Sequence, residues 1–233
     1  MKLVRDDPIE PDPAFARLYA ALPDARDLWP WSELTEKVSS PVLYLGIGAG
    51  RLAVPLMSAG VELVGVDSHP DMLARLRARA PGMELIESRI ETLELSRRFE
   101  LVLAPSNILF TVDRLRGAAR HLAPSARLAI ELTNPHWLRR GPDEGVRVLD
   151  FDGNQATLDV DYQLADGSVV TQRAHITLIW PEEAANWLAA AAGLRLLRMF
   201  GRRGAGLDQS PSYFIEAAPR EERSQRAATV SRL

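Results

Sequence analysis

Cysteine is absent from the 233 residues of the chain. Without a thiol, the chain forms no disulfide, and it lacks the ligands of thiolate zinc sites and iron–sulfur clusters as well as a cysteine nucleophile. A chain without thiols suits a reducing compartment, so we predict a cytoplasmic protein. We also predict that it holds no metal.

An excess of positive charge is lacking too. Lysine and arginine together number 28, aspartate and glutamate 31, and the formal net charge is -3. This balance provides no general attraction for phosphate groups, so nucleic acid is not an expected partner. Long apolar runs are missing as well, because the most apolar stretch, residues 187–197, is too short to span a bilayer. The first residues contain no apolar signal segment, and we predict no membrane partner.

Short apolar runs alternate with helical patterns. The run VLYL leads into GIGAG, and helical spacing then continues until Gly60 ends it. A second run ends in Asp67, and Pro70 opens the next helix. The runs that we predict as buried strands are residues 42–45, 61–66, 83–86, 101–104 and 126–132. Strands that alternate with helices predict an α/β fold with a parallel sheet covered on both faces.

The pattern changes after Val146. The segments VRVLDF, ATLDVDYQL and VVTQRAHITLIW alternate polar and apolar residues, which is typical of antiparallel strands, and residues 165–167 form a turn between the last two. A helix over residues 181–192 and strands over residues 194–200 and 212–217 complete the pattern.

We predict three segments along the chain. Residues 1–40 supply N-terminal helices that lie over the body as a lid. Residues 41–218 form the main domain, in which residues 145–180 are an antiparallel cap over the substrate. Residues 219–233 lack apolar periodicity, so we predict a disordered tail.

A glycine loop follows the first predicted parallel strand. Gly46, Gly48 and Gly50 leave backbone N–H groups accessible to a ligand. Arg51 stands where a dinucleotide-binding loop needs a small residue, and no tyrosine is followed four residues later by lysine, so NAD and short-chain dehydrogenase chemistry are disfavoured. Asp67 ends the next strand, where a carboxylate accepts hydrogen bonds from both ribose hydroxyls. Loop and acid together predict a nucleoside site.

Three segments carry a resemblance to a known family. VLYLGIGAGRLAVPLMSAG, VELVGVDSHPDML and FELVLAPSNILF resemble the class I S-adenosylmethionine-dependent methyltransferases in order and spacing, from residue 42 to residue 134. The later insertion, helix and strand pair are similar to the small-molecule branch, the sugar amino-group and glycine-type N-methyltransferases. The resemblance implies a doubly wound, Rossmann-like fold. Its seven-stranded sheet is mostly parallel with an antiparallel last strand, and an antiparallel β cap is inserted after the fifth strand.

The resemblance also implies S-adenosylmethionine, or its product S-adenosylhomocysteine, as the cofactor. Two positions depart from the family pattern, because Tyr44 and Arg89 stand where acids are usual. The adenine amino group therefore needs another acceptor. The residues implied as cofactor contacts are Gly46, Ile47, Gly48, Gly50, Asp67, Ser68, Met72, Arg89, Ile90, Ala104, Pro105 and Ser106.

Histidines are the candidate proton acceptors. His136 follows the fifth strand, at the carboxyl ends where open α/β sheets bind ligands, and it is our first choice. His175 lies on one face of the long inserted strand, and His69 is expected to neighbour the cofactor. Histidine exchanges protons readily near neutral pH. We expect the acceptor between the cap and the ends of the fourth and fifth strands, in contact with Tyr19, Ser106, Asn107, His136 and His175.

Two functions are compatible with this sequence. The first is methyl transfer to a nitrogen or oxygen of a small metabolite, as in bacterial natural-product biosynthesis, and it is favoured by the compact cap and the balanced charge. The second is a methyltransferase fold that uses or retains the cofactor without methylating, as a cyclase, an isomerase or a binding module, and Tyr44 and Arg89 suggest it. A homodimer is left open by the sequence.

Overall fold

The computed structural model describes residues 2–5, 12–142 and 145–220. These residues form eleven strands and seven α-helices, and Ile90–Thr92 forms a 3₁₀ turn. The strands are β1 (Lys2–Arg5), β2 (Val42–Leu45), β3 (Leu63–Asp67), β4 (Glu84–Glu87), β5 (Phe99–Ala104), β6 (Leu122–Thr133), β7 (Val146–Asp152), β8 (Gln155–Gln163), β9 (Val169–Thr177), β10 (Leu194–Gly201) and β11 (Ser212–Pro219). The helices are α1 (Pro13–Ala21), α2 (Trp31–Thr35), α3 (Ala53–Ser58), α4 (Pro70–Arg79), α5 (Val112–Ala119), α6 (Pro135–Arg140) and α7 (Ala184–Ala192).

Seven strands form the main sheet, in the order β10-β11-β6-β5-β2-β3-β4. β2 pairs in parallel with β3 and β5, whereas β11 runs antiparallel to both β6 and β10. The predicted doubly wound fold with an antiparallel last strand is confirmed. From β2 the chain adds β3 and β4 on one side. It then returns to the other side of β2, where it adds β5 and β6. A crevice therefore opens at the carboxyl ends of β2 and β5, where open α/β sheets bind ligands.

Side chains of β2 alternate between two cores, as the pleat of a strand requires. Leu43 and Leu45 pack in one core with residues of α5 and α7. Val42 and Tyr44 face the other core, which contains residues of α2, α3 and α4. Burial of both faces explains why β2 is apolar throughout and why the loop that follows it is held firmly in place.

The cap is a separate sheet with the order β1-β9-β8-β7. β7, β8 and β9 form antiparallel pairs, and they follow β6, the fifth strand of the main sheet, as expected. The N-terminal segment corrects the prediction that residues 1–40 supply only helices, because β1 pairs in parallel with β9 and adds a fourth strand. The four residues of β1 are too few to show a period, so pairing with a distant strand decided their conformation.

Helix α1 lies between the cap and the main domain. Asp12 caps its first turn by accepting a hydrogen bond from the N–H of Ala14 at 2.7 Å. Ala16 of α1 packs against Ala49 and Met72 of the main domain. The hydroxyl of Tyr19, on the same helix, lies 3.3 Å from the hydroxyl of Tyr162 in the cap. The helix is therefore in the position expected of a lid.

The chain end differs in one detail from the predicted boundary. Pro219 belongs to β11, and the N–H of Arg220 donates to the carbonyl of Gly193 at 3.2 Å. The rest of the predicted tail, residues 221–233, lies outside the described residues. Within the described ranges, no helix has the length and apolar character needed to cross a membrane.

Candidate active site

A cleft of about 860 Å³ opens at the carboxyl ends of the parallel strands, under the cap and α1. Two groups of lining residues are distinguished below. The glycine-loop half comprises Gly46, Ile47, Gly48, Asp67, Ser68, His69, Met72, Arg89, Ile90 and Glu91. The cap half comprises Tyr19, Asn107, Glu131, Thr133, Leu158, Val160, Tyr162, Gln172, Ala174, His175 and Ile176.

The three glycines of the loop have different tasks. Gly46, Gly48 and Gly50 all have positive φ angles, +65°, +57° and +85°, which favour glycine. A Cβ at Gly48 would meet no heavy atom within 4 Å, so its backbone is open to a ligand in the cleft. A Cβ at Gly50 would lie 2.4 Å from Cδ1 of Leu76, which shows that Gly50 permits close packing of the loop on α4. Gly50 does not line the cleft, although it was predicted as a contact.

Asp67 ties the glycine loop to the end of β3. Its Oδ2 accepts a hydrogen bond from the N–H of Gly48 at 2.8 Å, and its Oδ1 accepts one from the N–H of His69 at 2.8 Å. Burial raises the pKa of Asp67, and these backbone donors only partly offset that effect. Each carboxylate oxygen has a further lone pair, so the group is suited to accept hydrogen bonds from a bound diol.

His69 presents a second acceptor in the same half. Its Nε2 lies 3.1 Å from the carbonyl oxygen of Asp12. A carbonyl only accepts, so this nitrogen carries the proton in the neutral ring. Nδ1 is buried and has no hydrogen-bond partner among the described residues. A hydroxyl donor from a ligand would satisfy it, and the open backbone at Gly48 and the acceptors at Asp67 and His69 together fit a nucleoside.

A carboxylate missed by the sequence analysis lies near Arg89. Glu91 lines the cleft and accepts a hydrogen bond from Nε of Arg114 at 3.0 Å, and Arg89 lies 3.6 Å away. Burial raises the pKa of Glu91, but hydrogen bonds from its own N–H and from Arg114 outweigh this effect and hold the pKa below its usual range. The sequence signal that could have revealed Glu91 was its position two residues after Arg89. Glu91 therefore supplies a carboxylate to the side of the cleft where Arg89 replaces the usual acid.

Ser106 and Asn107 form a strained turn after β5. Their φ angles are +62° and +58°, which side-chain-bearing residues rarely adopt and which often mark functional sites. The N–H of Ser106 donates to Oε2 of Glu131 at 3.1 Å, and the N–H of Asn107 donates to the carbonyl of Glu131 at 3.0 Å. The N–H of Thr133 donates to Oδ1 of Asn107 at 2.9 Å. These bonds hold the turn against the end of β6.

Glu131 is the second carboxylate of the cleft that sequence reasoning missed. Its Oε1 accepts a hydrogen bond from the hydroxyl of Ser212 at 2.8 Å, and Nη2 of Arg202 lies 3.7 Å away. Its side chain is 15% exposed, and it lines the cleft. A single carboxylate in the apolar segment LAIELT was the signal that could have revealed it.

Tyr44 lies between the two halves of the cleft. It occupies β2 where the resemblance implies an acid, and it is buried. Burial raises the pKa of its phenol far above the ordinary range, and the negative charges of Glu131 and Asp67 raise it further. Tyr44 therefore stays neutral at physiological pH and contributes a polar but uncharged group to the lining.

The structure brings most of the predicted contacts into this one cleft. The predicted residues that line it are Tyr19, Gly46, Ile47, Gly48, Asp67, Ser68, Met72, Arg89, Ile90, Pro105, Ser106, Asn107 and His175. Ala104, like Gly50, does not, because its side chain is fully buried in the core at the end of β5. His175 borders the cleft from β9, but its side chain is exposed and lies on the face of β9 opposite to Ala174 and Ile176. Its Nδ1 lies 3.0 Å from the hydroxyl of Thr157.

His136 does not reach this cleft, which corrects its predicted position. It lines a separate pocket of about 580 Å³, and its Nε2 lies 3.1 Å from a carboxylate oxygen of Glu182. The cause is the start of α6. The buried side chain of Asn134 donates to the carbonyls of Leu207 and Ser210 and accepts from the N–H of His136. These bonds hold the first turn of α6 against the segment before β11, and His136 faces the separate pocket and not the cleft.

Comparison with known proteins identifies the family. A family model described as a methyltransferase domain matches residues 42–125. The cypemycin N-terminal methyltransferase of a Streptomyces species is 31% identical over 186 residues, which are 72% of this chain and 75% of that protein.

Two solved structures share the fold at lower identity. The CcbJ methyltransferase from Streptomyces caelestis has a TM-score of 0.64 and 22% identity, covering 91% of this chain and 92% of that one. The glycopeptide N-methyltransferase MtfA, solved with S-adenosyl-L-methionine, has a TM-score of 0.62 and 23% identity, covering 85% and 97%. The expected cofactor is confirmed by the family. The chain belongs to the class I S-adenosylmethionine-dependent methyltransferases.

Proposed function

We propose that this methyltransferase methylates an amine nitrogen of a small metabolite. The observation that carries the proposal is the carboxylate of Glu131, which faces the cleft beside the turn at Ser106. A carboxylate attracts an ammonium group and accepts hydrogen bonds from a neutral amine. Two relatives support the same choice by name, since one is an N-terminal methyltransferase of cypemycin and MtfA is a glycopeptide N-methyltransferase.

We assign the glycine-loop half of the cleft to the cofactor. S-adenosylmethionine supplies a methyl group on a positively charged sulfur. Asp67 and Nδ1 of His69 would accept hydrogen bonds from its ribose hydroxyls, and the open backbone of Gly48 would lie against the ligand. Met72 and Ile90 would cover the adenine. Such contacts mainly align the reactants, which supplies much of the rate in a displacement between two bound molecules.

We assign the cap half to the acceptor. Glu131 would orient the amine, and Val160 and Ile176 of the cap would exclude water from above. His175 is the histidine of this half, and we propose it as an acceptor contact. Natural-product biosynthesis in the bacterial cytoplasm suits this arrangement, since the relatives named above act in that chemistry by name and the chain carries no thiol.

The alternative of a fold that no longer methylates rested on two missing acids. Glu91 brings a carboxylate to the wall of Arg89, and Glu131 brings one close enough to raise the pKa of Tyr44. Both halves of the cleft therefore retain an acid in place of the missing ones. This favours methyl transfer over a binding role.

The test is label transfer from methyl-labelled S-adenosylmethionine to matched acceptors. Each pair should share a carbon skeleton and differ only in an amine or a hydroxyl, such as an amino sugar with its parent sugar and phenethylamine with phenethyl alcohol. We expect label on amines and not on the matched alcohols. Label on the alcohols alone, or on no acceptor although S-adenosylhomocysteine binds, would contradict the proposal.

A further inference from the structure

A buried hydrogen-bond donor in the cap half has no partner among the described residues. Nδ2 of Asn107 is buried without one in the part of the chain that the structure describes. The orientation of the amide is determined, because Oδ1 accepts from the N–H of Thr133 at 2.9 Å and the oxygen must face that donor. Buried polar atoms of native proteins are nearly always satisfied, so an orphan in a cleft indicates a ligand atom. The missing partner is a hydrogen-bond acceptor.

The same turn places a carboxylate beside this donor. The N–H of Asn107 binds the carbonyl of Glu131, and the N–H of Ser106 binds its Oε2. Glu131 and Thr133 are two residues apart on β6, so their side chains share one face of the strand. Asn107 and Glu131 therefore belong to one hydrogen-bonded unit. It offers an N–H donor and a negative oxygen side by side to a single molecule.

The charges of the cleft argue against a phosphate-bearing acceptor. Among the described residues, Arg51, Arg89, Arg114, Arg202 and Arg203 line it. Each already has a carbonyl or carboxylate partner within 4 Å. Asp27, Asp67, Glu91 and Glu131 line the same cleft, so five positive side chains are opposed by four negative ones. The cleft therefore offers little net attraction for a diphosphate, and an uncharged body fits beside the apolar cap side chains.

We infer that the acceptor is an amine whose neighbouring carbon bears a carbonyl group, as at the N-terminus of a peptide. The amine contacts the carboxylate of Glu131, and the carbonyl oxygen accepts from Nδ2 of Asn107. This inference rests on the proposed function and narrows it to α-amino carbonyl compounds.

The chemistry of transfer favours the same class. An ammonium first loses one proton, to Glu131 or to water, because only the neutral amine has a lone pair. The lone pair forms the N–C bond while the C–S bond breaks, and its electron pair stays on sulfur, which becomes a neutral thioether. The product is a methylammonium. At pH 7.4 about a quarter of an α-amine is neutral, against about one in a thousand for an alkylamine. An α-amine thus needs less help from a base.

A matched acceptor series tests the class. The acceptors are phenylalaninamide, a tripeptide amide beginning with phenylalanine, its N-acetylated form, and phenethylamine, which keeps the ring and amine but lacks the carbonyl. Rates are divided by the neutral fraction of each amine. We expect the amide and the peptide to exceed phenethylamine by about 10- to 100-fold in kcat/KM, because the analogue leaves the buried donor without a hydrogen bond. The acetylated peptide should stay unlabelled.

The variant Asn107→Asp isolates the donor. It keeps the oxygen that accepts from Thr133 and tolerates the positive φ, but it loses the N–H donor. We expect the ratio of kcat/KM for phenylalaninamide to that for phenethylamine to fall about 10- to 100-fold, because only the amide loses a hydrogen bond. Binding of S-adenosylhomocysteine, measured by calorimetry, should stay unchanged. Asn107→Gly also permits the positive φ and removes the donor without adding charge, but it removes the acceptor of the Thr133 N–H as well. It should reproduce the fall in this ratio, with its melting temperature recorded as a control for folding.

The outcomes separate the two levels of the proposal. Equal rates for phenethylamine and phenylalaninamide, with both methylated, would overturn the α-amino carbonyl class and leave amine methylation standing. A loss of S-adenosylhomocysteine affinity in both Asn107 variants, with an unchanged acceptor ratio, would assign the donor to the cofactor and also overturn the inference. Label on alcohols alone would overturn the proposed function itself.

Discussion

The two halves of the cleft are built in different ways. The glycine-loop half uses backbone, since the N–H groups of Gly48 and His69 hold Asp67 and the open face of Gly48 leaves room for a ligand. The cap half uses side chains from segments far apart in the chain, such as Glu131 and Ser212, which bond at 2.8 Å. Backbone sites depend on local spacing, whereas side-chain sites depend on the complete fold. Substitutions should therefore affect the two halves differently.

The largest expected effect concerns the glycine loop. Gly50→Ala should lower the free energy of unfolding by about 2–4 kcal/mol, because left-handed strain is joined by a clash with Leu76. Gly48→Ala should lower it by about 1–2 kcal/mol, since only the strain applies. Urea denaturation measures both. The added Cβ at Gly48 faces the cleft, where the ligand is expected. Gly48→Ala should therefore lose more affinity for S-adenosylhomocysteine than Gly50→Ala, although it loses less stability. Equal stability losses would contradict the different tasks assigned to the two glycines.

Asp67 tests whether one carboxylate organises the glycine-loop half. Asp67→Ala should weaken S-adenosylhomocysteine binding by about 1–3 kcal/mol in calorimetry, because buried acceptors are lost. Burial raises the pKa of Asp67, so the carboxylate takes up its proton at a higher pH than an ordinary aspartate. The affinity of the wild type should fall as the pH is lowered through this raised pKa.

The effect of Asp67 on stability should have the opposite sign. A raised pKa in the folded state means that the folded protein binds the proton more readily than the unfolded chain. The contribution of Asp67 to the free energy of unfolding without cofactor is therefore fully present below the unfolded pKa and is lost as the pH rises through the folded pKa. The difference between wild type and Asp67→Ala across pH isolates this contribution. An affinity for S-adenosylhomocysteine that rises on acidification would contradict the assignment.

The smallest expected effect compares two histidines. His175 lines the cleft, whereas His136 pairs with Glu182 in the separate pocket. His175→Ala should lower kcat/KM for the amine acceptor about fivefold, as for the loss of one hydrogen bond of about 1 kcal/mol. His136→Ala should leave turnover within twofold and change stability by about 0–1 kcal/mol, since it removes an exposed pair. A larger loss of turnover for His136→Ala would restore it as the proton acceptor.

Most of the main sheet could be predicted because its signals are local. Apolar runs with helical patterns between them specify parallel strands, and the spacing from Gly46 to Asp67 specifies the loop and the acid. Boundaries differ by a few residues, as for α7, which was predicted to begin at residue 181 and begins at Ala184. Strand β1 was missed because four residues carry no period and its conformation depends on pairing with β9.

The sequence by itself determined the α/β fold, the glycine loop and the resemblance to the family, because each depends on residues close together in the chain. Only the tertiary structure decided which polar groups line the cap half of the cleft. The side chain of Asn134 binds carbonyls more than seventy residues away and thereby turns His136 out of the cleft. Glu131 faces the cleft because β11 and the turn after β5 bring Ser212 and Ser106 to it. Contacts between such distant segments form only when the sheet is complete. They leave no period or spacing in the sequence, so sequence patterns do not predict them.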